Sequence, residues 1–156
     1  MRSRISAGLL MYRRREEKLE VFLAHPGGPF FAHKDDGHWT IPKGEVEVGE
    51  DYLTTAIREF EEEVGIRADP NSHFLSLGSI RQKGGKIVHA WGVAGDYDDT
   101  IPIRSNTFEC EWPMNSGQMR CFPEVDRAQF FPLMVARRKI KETQIPLLDQ
   151  LELKLG

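Results

Sequence analysis

The chain has 156 residues, of which 40% are hydrophobic and 29% charged, and its net charge is −3. Those figures suit one globular domain with a sizeable core and are too small for two comfortable ones, so a single domain over 1–156 is expected. They exclude a disordered chain and a bulk basic surface, so duplex nucleic acid is not an expected partner.

The N-terminal MRSRISAGLLMYRRR has an apolar stretch of only about six residues and no small-residue cleavage pattern, so it reads as a strand rather than a signal peptide. Residues 4–12 and 19–25 form two expected strands around the charged turn RRREEK, where the arginines are expected to be solvated. PGGP at 26–29 and KDDGHW at 34–39 are loops, and WTIP at 39–42 is a short extended piece. Of Phe30 and Phe31 at least one is expected in the core, with nucleobase stacking as the functional alternative. The five histidines share no ligand spacing and read as structural or surface residues.

Residues 50–64 have helical period, with Leu53, Ala56, Ile57, Phe60 and Val64 on one face and Gly65 as the C-cap. Residues 73–82 and 86–95 read as a β-hairpin turning at Lys83-Gly84-Gly85. Residues 104–123 read as a long, irregular polar loop. The tail, 132–154, reads as one or two helices interrupted or started by Pro146. Strands on both sides of one helix, then a C-terminal helix, predict an α/β or α+β domain with a mixed sheet between helices. No run reaches the roughly 18 apolar residues of a membrane span. Cys110 and Cys121 fit neither CxxC nor a zinc framework. A disulfide between them is open but unforced, and a reducing, cytoplasmic setting is the default.

The segment 44–66, GEVEVGEDYLTTAIREFEEEVGI, is strongly acidic. Spacings of three and four put Glu59, Glu62 and Glu63 on one helix face, opposite Phe60 and Val64, while Glu61 falls off both faces. Like charges so spaced repel. A solvated acidic face is the bland account. The chemical one is a rigid oxygen-donor site for a hard divalent cation, with substrate phosphates completing its coordination. Arg58 is placed to orient Glu50 or Glu62, and the Gly44 carbonyl is a further oxygen donor.

The order Gly44, five residues, Glu50, seven residues, Arg58-Glu59-Phe60, one residue, Glu62-Glu63, one residue, Gly65-Ile66 resembles a complete Nudix box. The strands before it, the WTIPKGE lead-in and the FFPL segment extend the resemblance to about residues 3–140. The resemblance implies a Nudix hydrolase: a pyrophosphohydrolase in which water attacks a phosphorus of a nucleoside diphosphate linked to another group, with Mg²⁺ or Mn²⁺ bound. Carried onto this sequence, it makes Glu59, Glu62 and Glu63 metal ligands, joined by the Gly44 carbonyl, and Glu50 and Arg58 supporting residues. Glu124 stands six residues before Phe130, where many members carry a metal-binding or base carboxylate. Glu59 and Glu63 are alternative bases, and Asp126, Glu109 and Glu111 weaker ones.

The stretch 80–84, IRQKG, lacks the proline and tyrosine markers of ADP-ribose and dinucleoside polyphosphate subfamilies, and no coenzyme A-type signature lies upstream. The KIVHAW strand and the WTIPKGE lead-in nevertheless resemble hydrolases of diadenosine polyphosphates, for which Lys43, Lys83 and Lys86 are candidate phosphate contacts beside the plain reading as surface lysines. The resemblance thus implies a nucleotide-derived small-molecule substrate and a monomer or homodimer. An RNA 5′-pyrophosphohydrolase, an ADP-ribose or nucleoside triphosphate pyrophosphatase, and a non-catalytic nucleotide-sensing domain are the competing readings.

Overall fold

The structure, a computed structural model, describes residues 4–156. Strand β1 (Ile5–Arg15) alternates its side chains between two layers, and that alternation organises the molecule. Ala7, Leu9 and Met11 face one hydrophobic cluster and Leu10 faces the other. The next strand, β2 (Lys18–Pro26), does the same, sending Phe22 and Ala24 one way and Val21 and Leu23 the other. One cluster is closed by α1 (Tyr52–Val64) through Ala56, Phe60 and Val64. The other is closed by α2 (Leu133–Lys139) and α3 (Ile145–Leu155) through Ala136, Leu147, Leu148 and Leu151. The result is the expected mixed sheet between helices.

With β3 (Lys43–Glu45), β4 (Leu75–Arg81), β5 (Ile87–Ala94) and β8 (Val125–Pro132), the sheet runs β4-β5-β1-β2-β8, and β3 also pairs with β1. β1 and β5 are parallel and the other pairs antiparallel. β1 divides one edge between two partners: Tyr12–Arg15 pair with β2, whereas Ser6–Gly8 pair with β3. The strands splay between them, and residues 39–42 fill the gap. There Ala24 and Thr40 exchange backbone hydrogen bonds of 2.8 and 2.9 Å, and Leu9 N–H donates to Pro42 O at 3.2 Å. Gly8 permits this approach, since a Cβ there would lie 2.6 Å from Pro42 O.

Several expectations shift. The helix begins at Tyr52 rather than at residue 50, because Asp51 caps it by accepting from Thr54 N–H, which leaves Glu50 in the preceding loop. The arginine run divides: β1 continues to Arg15, Arg14 and Arg15 are exposed as expected, and Arg13 is instead anchored by Glu20 and Asp96 with its guanidinium 3.8 Å from the centre of the Phe130 ring. Phe30 and Phe31 are both exposed rather than core. The stretch 104–123 is not irregular: β6 (Thr107–Glu111) and β7 (Met119–Pro123) form a separate two-stranded hairpin. In it Glu109 pairs with Cys121 and Cys110 with Arg120, so the cysteines point to opposite faces, and both are free. Pro146 starts α3, after a short 3-10 turn at Glu142–Gln144. No helix among the described residues is long and apolar enough to cross a membrane.

Candidate active site

The acidic face of α1 lies over β3, and glycine at position 44 allows it to sit close. A Cβ on Gly44 would fall 2.0 Å from the Glu59 carboxyl carbon, so any side chain there displaces that carboxylate. Glu63 turns toward the preceding residue, where its Oε1 accepts the Lys43 N–H at 3.2 Å. Glu62 lies on the solvent side of the same face, and Glu61 is exposed and apart from it.

Arg58 ties the group together. Its Nε and Nη2 donate to the two oxygens of Glu50 at 2.8 and 2.9 Å, a bidentate pair. Its Nη1 donates to Glu59 at 2.9 Å and to Glu62 at 3.1 Å. Thr55 Oγ donates to Glu50 at 2.6 Å. The Arg58 hydrogen bonds, with those from Thr55 and the Glu47 N–H, hold the Glu50 carboxyl down at about 2. The carboxylates of the face go the other way. Burial pushes Glu63 up to about 8, reinforced by repulsion from Glu59 and Glu124. Burial and the charge of Glu62 likewise raise Glu59. Lys43 is half-buried rather than a plain surface lysine. Burial, then repulsion from Lys141, lowers its pKa, opposed by Glu63.

Glu124 reaches the same face by a backbone relay. Asn106 N–H donates to the Glu62 carbonyl at 2.8 Å, Glu124 N–H donates to the Asn106 carbonyl at 2.8 Å, and Gly27 N–H donates to the Glu124 carbonyl at 2.9 Å. The weaker acidic candidates are engaged elsewhere. Asp126 meets His25 at 2.8 Å, Glu111 accepts the Asn115 N–H at 2.9 Å, and Glu109 projects from β6.

Among the described residues no three His, Cys, Asp or Glu side chains converge into a preformed metal cage. The donor set nonetheless fits a hard cation. It offers oxygens alone, and burial, reinforced by the neighbouring carboxylates, raises the pKa values of Glu63 and Glu59. Mg²⁺ commonly takes a few carboxylates and keeps water and phosphate oxygens in the remaining positions, so a closed cage is not required. The Glu59 carboxylate occupies the space a Gly44 side chain would take, against the β3 backbone.

Sequence reasoning assigned no role to Thr55 or Asn106. The cue for Thr55 was a polar residue among the inward positions of the helix, and it is fully buried. Asn106 carried no local signal. A cavity of about 640 Å³ lies on the helix-α2 side and is bordered by Phe31, His38, Lys83 and Lys141.

Known proteins share this architecture. The NUDIX domain model matches residues 2–151. The chain is 43% identical over 61 residues to the asymmetrical bis(5'-nucleosyl)-tetraphosphatase of Caenorhabditis elegans, covering 39% of this chain and 40% of that protein. It is 36% identical over 80 residues to the Rattus norvegicus protein of the same name, covering 48% of this chain and 54% of that one. The match thus spans about half the length of these curated relatives. A crystal structure of a C. elegans Ap4A hydrolase binary complex aligns over 96% of this chain and 97% of that chain, with a TM-score of 0.69 and 25% identity. With the family model matching nearly its whole length, the chain belongs to the NUDIX family.

Proposed function

We propose that this chain is a divalent-metal-dependent pyrophosphohydrolase acting on a dinucleoside polyphosphate. The observation that carries the reading is the gathering of Glu59, Glu62 and Glu63 on one face over Gly44, braced by the Arg58–Glu50 pair. Family membership and the resemblance to Ap4A hydrolases support the substrate class.

Glu59, Glu62 and Glu63, with the Gly44 carbonyl, would hold Mg²⁺ or Mn²⁺. When bound, the ion neutralises polyphosphate charge and lowers the pKa of its bound water. Arg58 fixes the orientation of Glu59 and Glu62 and is itself fixed by Glu50. Glu124 is exposed at the rim and accepts the proton of the attacking water in this reading. Lys43, Lys83 and Lys86 contact phosphates, and the cavity beside Phe31 and His38 receives a nucleoside.

A substrate panel with Mg²⁺ tests this, with products resolved by chromatography. The panel holds diadenosine tetra- and hexaphosphate, ADP-ribose, an oxidised deoxynucleoside triphosphate and triphosphorylated RNA. Release of ATP from the diadenosine polyphosphates, lost in Glu63→Gln, is the expected result. Turnover of another substrate alone reassigns the substrate, and no turnover with either metal overturns the catalytic reading.

A further inference from the structure

The β6–β7 hairpin buries no residue between 106 and 124, so the core does not explain its order. Its two ends are fixed at the acidic face. Asn106, just before β6, holds the Glu62 carbonyl, and Glu124, just after β7, follows it through the Asn106 carbonyl. From there the hairpin lies against the loop that follows β2. A Cβ on Gly27 would sit 2.0 Å from Pro123 O, and one on Gly28, whose φ is +94°, would sit 2.8 Å from the Phe108 ring. Two consecutive glycines therefore make the contact possible.

The loop-facing side of the hairpin carries aromatic rings and one cation. Phe108 pairs with Phe122 and Cys110 with Arg120 across the strands, and Trp112 N–H donates to Gln118 O just beyond them. Alternation puts Phe108, Arg120 and Trp112 on the same face. Trp112 meets Phe30 edge-on, with ring centroids 5.6 Å apart, and Phe30 still exposes 52% of its surface. The Arg120 guanidinium has no ion-pair partner among the described residues. An open aromatic pair beside an uncompensated cation matches the needs of a nucleobase and its phosphates.

Neighbouring Phe31 turns the other way, lining the large cavity with His38. Adjacent aromatic side chains thus serve two sides of one loop. Phe30 is also close to the acidic face: it is three residues from Gly27, a reach of at most about 11 Å, and Gly27 N–H binds the Glu124 carbonyl at 2.9 Å.

We infer that Phe30 and Trp112, with Arg120, form a second nucleobase site, which receives the base that the Phe31 cavity does not. This rests on the proposed dinucleoside polyphosphate reading and deepens it: the hairpin selects substrates with a base at each end.

The test compares wild type with Phe30→Ala, Trp112→Ala and Arg120→Ala on diadenosine tetraphosphate and on adenosine tetraphosphate, which carries one base. The expected result is a KM about tenfold higher or more for the two-base substrate, as for loss of one base–aromatic stack, with little change for the one-base substrate. Equal effects on both substrates, or none, overturn the inference while leaving the hydrolase reading intact. A second measurement needs no turnover: the Trp112 indole NMR signal of the ¹⁵N-labelled protein, assigned with Trp112→Phe, is followed as AMP is added. A saturable shift, weakened in Phe30→Ala, supports the site even if the substrate panel is silent. An unmoved signal overturns it.

Discussion

Arg58 and Glu50 are eight positions apart and meet as a fork, Nε to Oε2 at 2.8 Å and Nη2 to Oε1 at 2.9 Å, while the free corner of the same guanidinium holds Glu59. A lysine keeps the charge but cannot make the planar double contact. Arg58→Lys is expected to lower activity about 10- to 100-fold by loosening Glu59, a proposed metal ligand. Metal titration should show weaker Mg²⁺ binding with the fold retained, and unchanged activity would remove Arg58 from the site. The pair also sets an acid limb. Glu50 is ordinarily at 4.5 and is held at about 2, so its stabilisation is present above 4.5 and lost as pH falls toward 2. Glu50→Gln should flatten that limb in acid unfolding curves.

The missing side chain of Gly44 makes room for Glu59. Adding one methyl puts a carbon 2.0 Å from both the Glu59 carboxyl carbon and one of its oxygens. The far end of a glutamate moves easily, so Gly44→Ala should cost little stability, within about 1 kcal/mol. Activity and metal affinity should each fall at least about tenfold, since the displaced group is a proposed ligand. Calorimetric Mg²⁺ titration of the variant checks this, and native affinity would show that Glu59 is not a ligand.

The parts of the site carried by local spacing were legible in the sequence. The i, i+3 and i, i+4 positions put Glu59, Glu62 and Glu63 on one face, and the hairpin of β4 and β5 showed in its alternation and its Gly-Gly turn. The sheet and its two helical layers likewise followed from periodicity. What stayed hidden depends on tertiary contact. Lys43 looked like any lysine, and only the folded structure half-buries it. The β6–β7 hairpin was missed although Phe108, Cys110 and Trp112 alternate with Thr107, Glu109 and Glu111, because the proline, asparagine, serine and glycine of 113–117 read as loop and the strands bury no core residue. The helix start was read early because Glu50 and Asp51 both suit a first turn, and the Asp51 cap decides between them.

Glu63 supplies a pH signature in the metal-free protein. Its carboxyl is pushed from an ordinary 4.5 to about 8, chiefly by burial. Between those values the folded state binds more protons than the unfolded chain, so stability is fully present below about 4.5 and falls as pH rises toward 8. Glu63→Gln cannot ionise and escapes the loss. Its melting temperature should therefore rise relative to wild type as pH goes from 5 to 8. Added Mg²⁺ should narrow the gap by stabilising wild type alone. A pH-independent difference would mean that Glu63 ionises without cost.

His25 makes the last prediction. It is fully buried, with Nδ1 2.8 Å from Asp126 Oδ1, Nε2 2.7 Å from the Lys34 carbonyl, and its ring 5.1 Å from that of Trp39. Both ring nitrogens thus face acceptor oxygens. The residue thereby pins the middle of the loop that carries Phe30 and Phe31 to β8, one residue beyond the strand's first position and two beyond Glu124. His25→Leu fills much of the space but leaves the Lys34 carbonyl without its donor, a loss of about 1–3 kcal/mol. The local consequence is more telling than the global one. Amide exchange should accelerate across residues 27–38 beyond the change in overall stability, and KM should rise more than kcat falls, because the loop presents the proposed base-binding aromatics and not the acids of α1. If exchange in that loop follows only the global loss of stability, His25 is a core residue and the loop is held by its own turns.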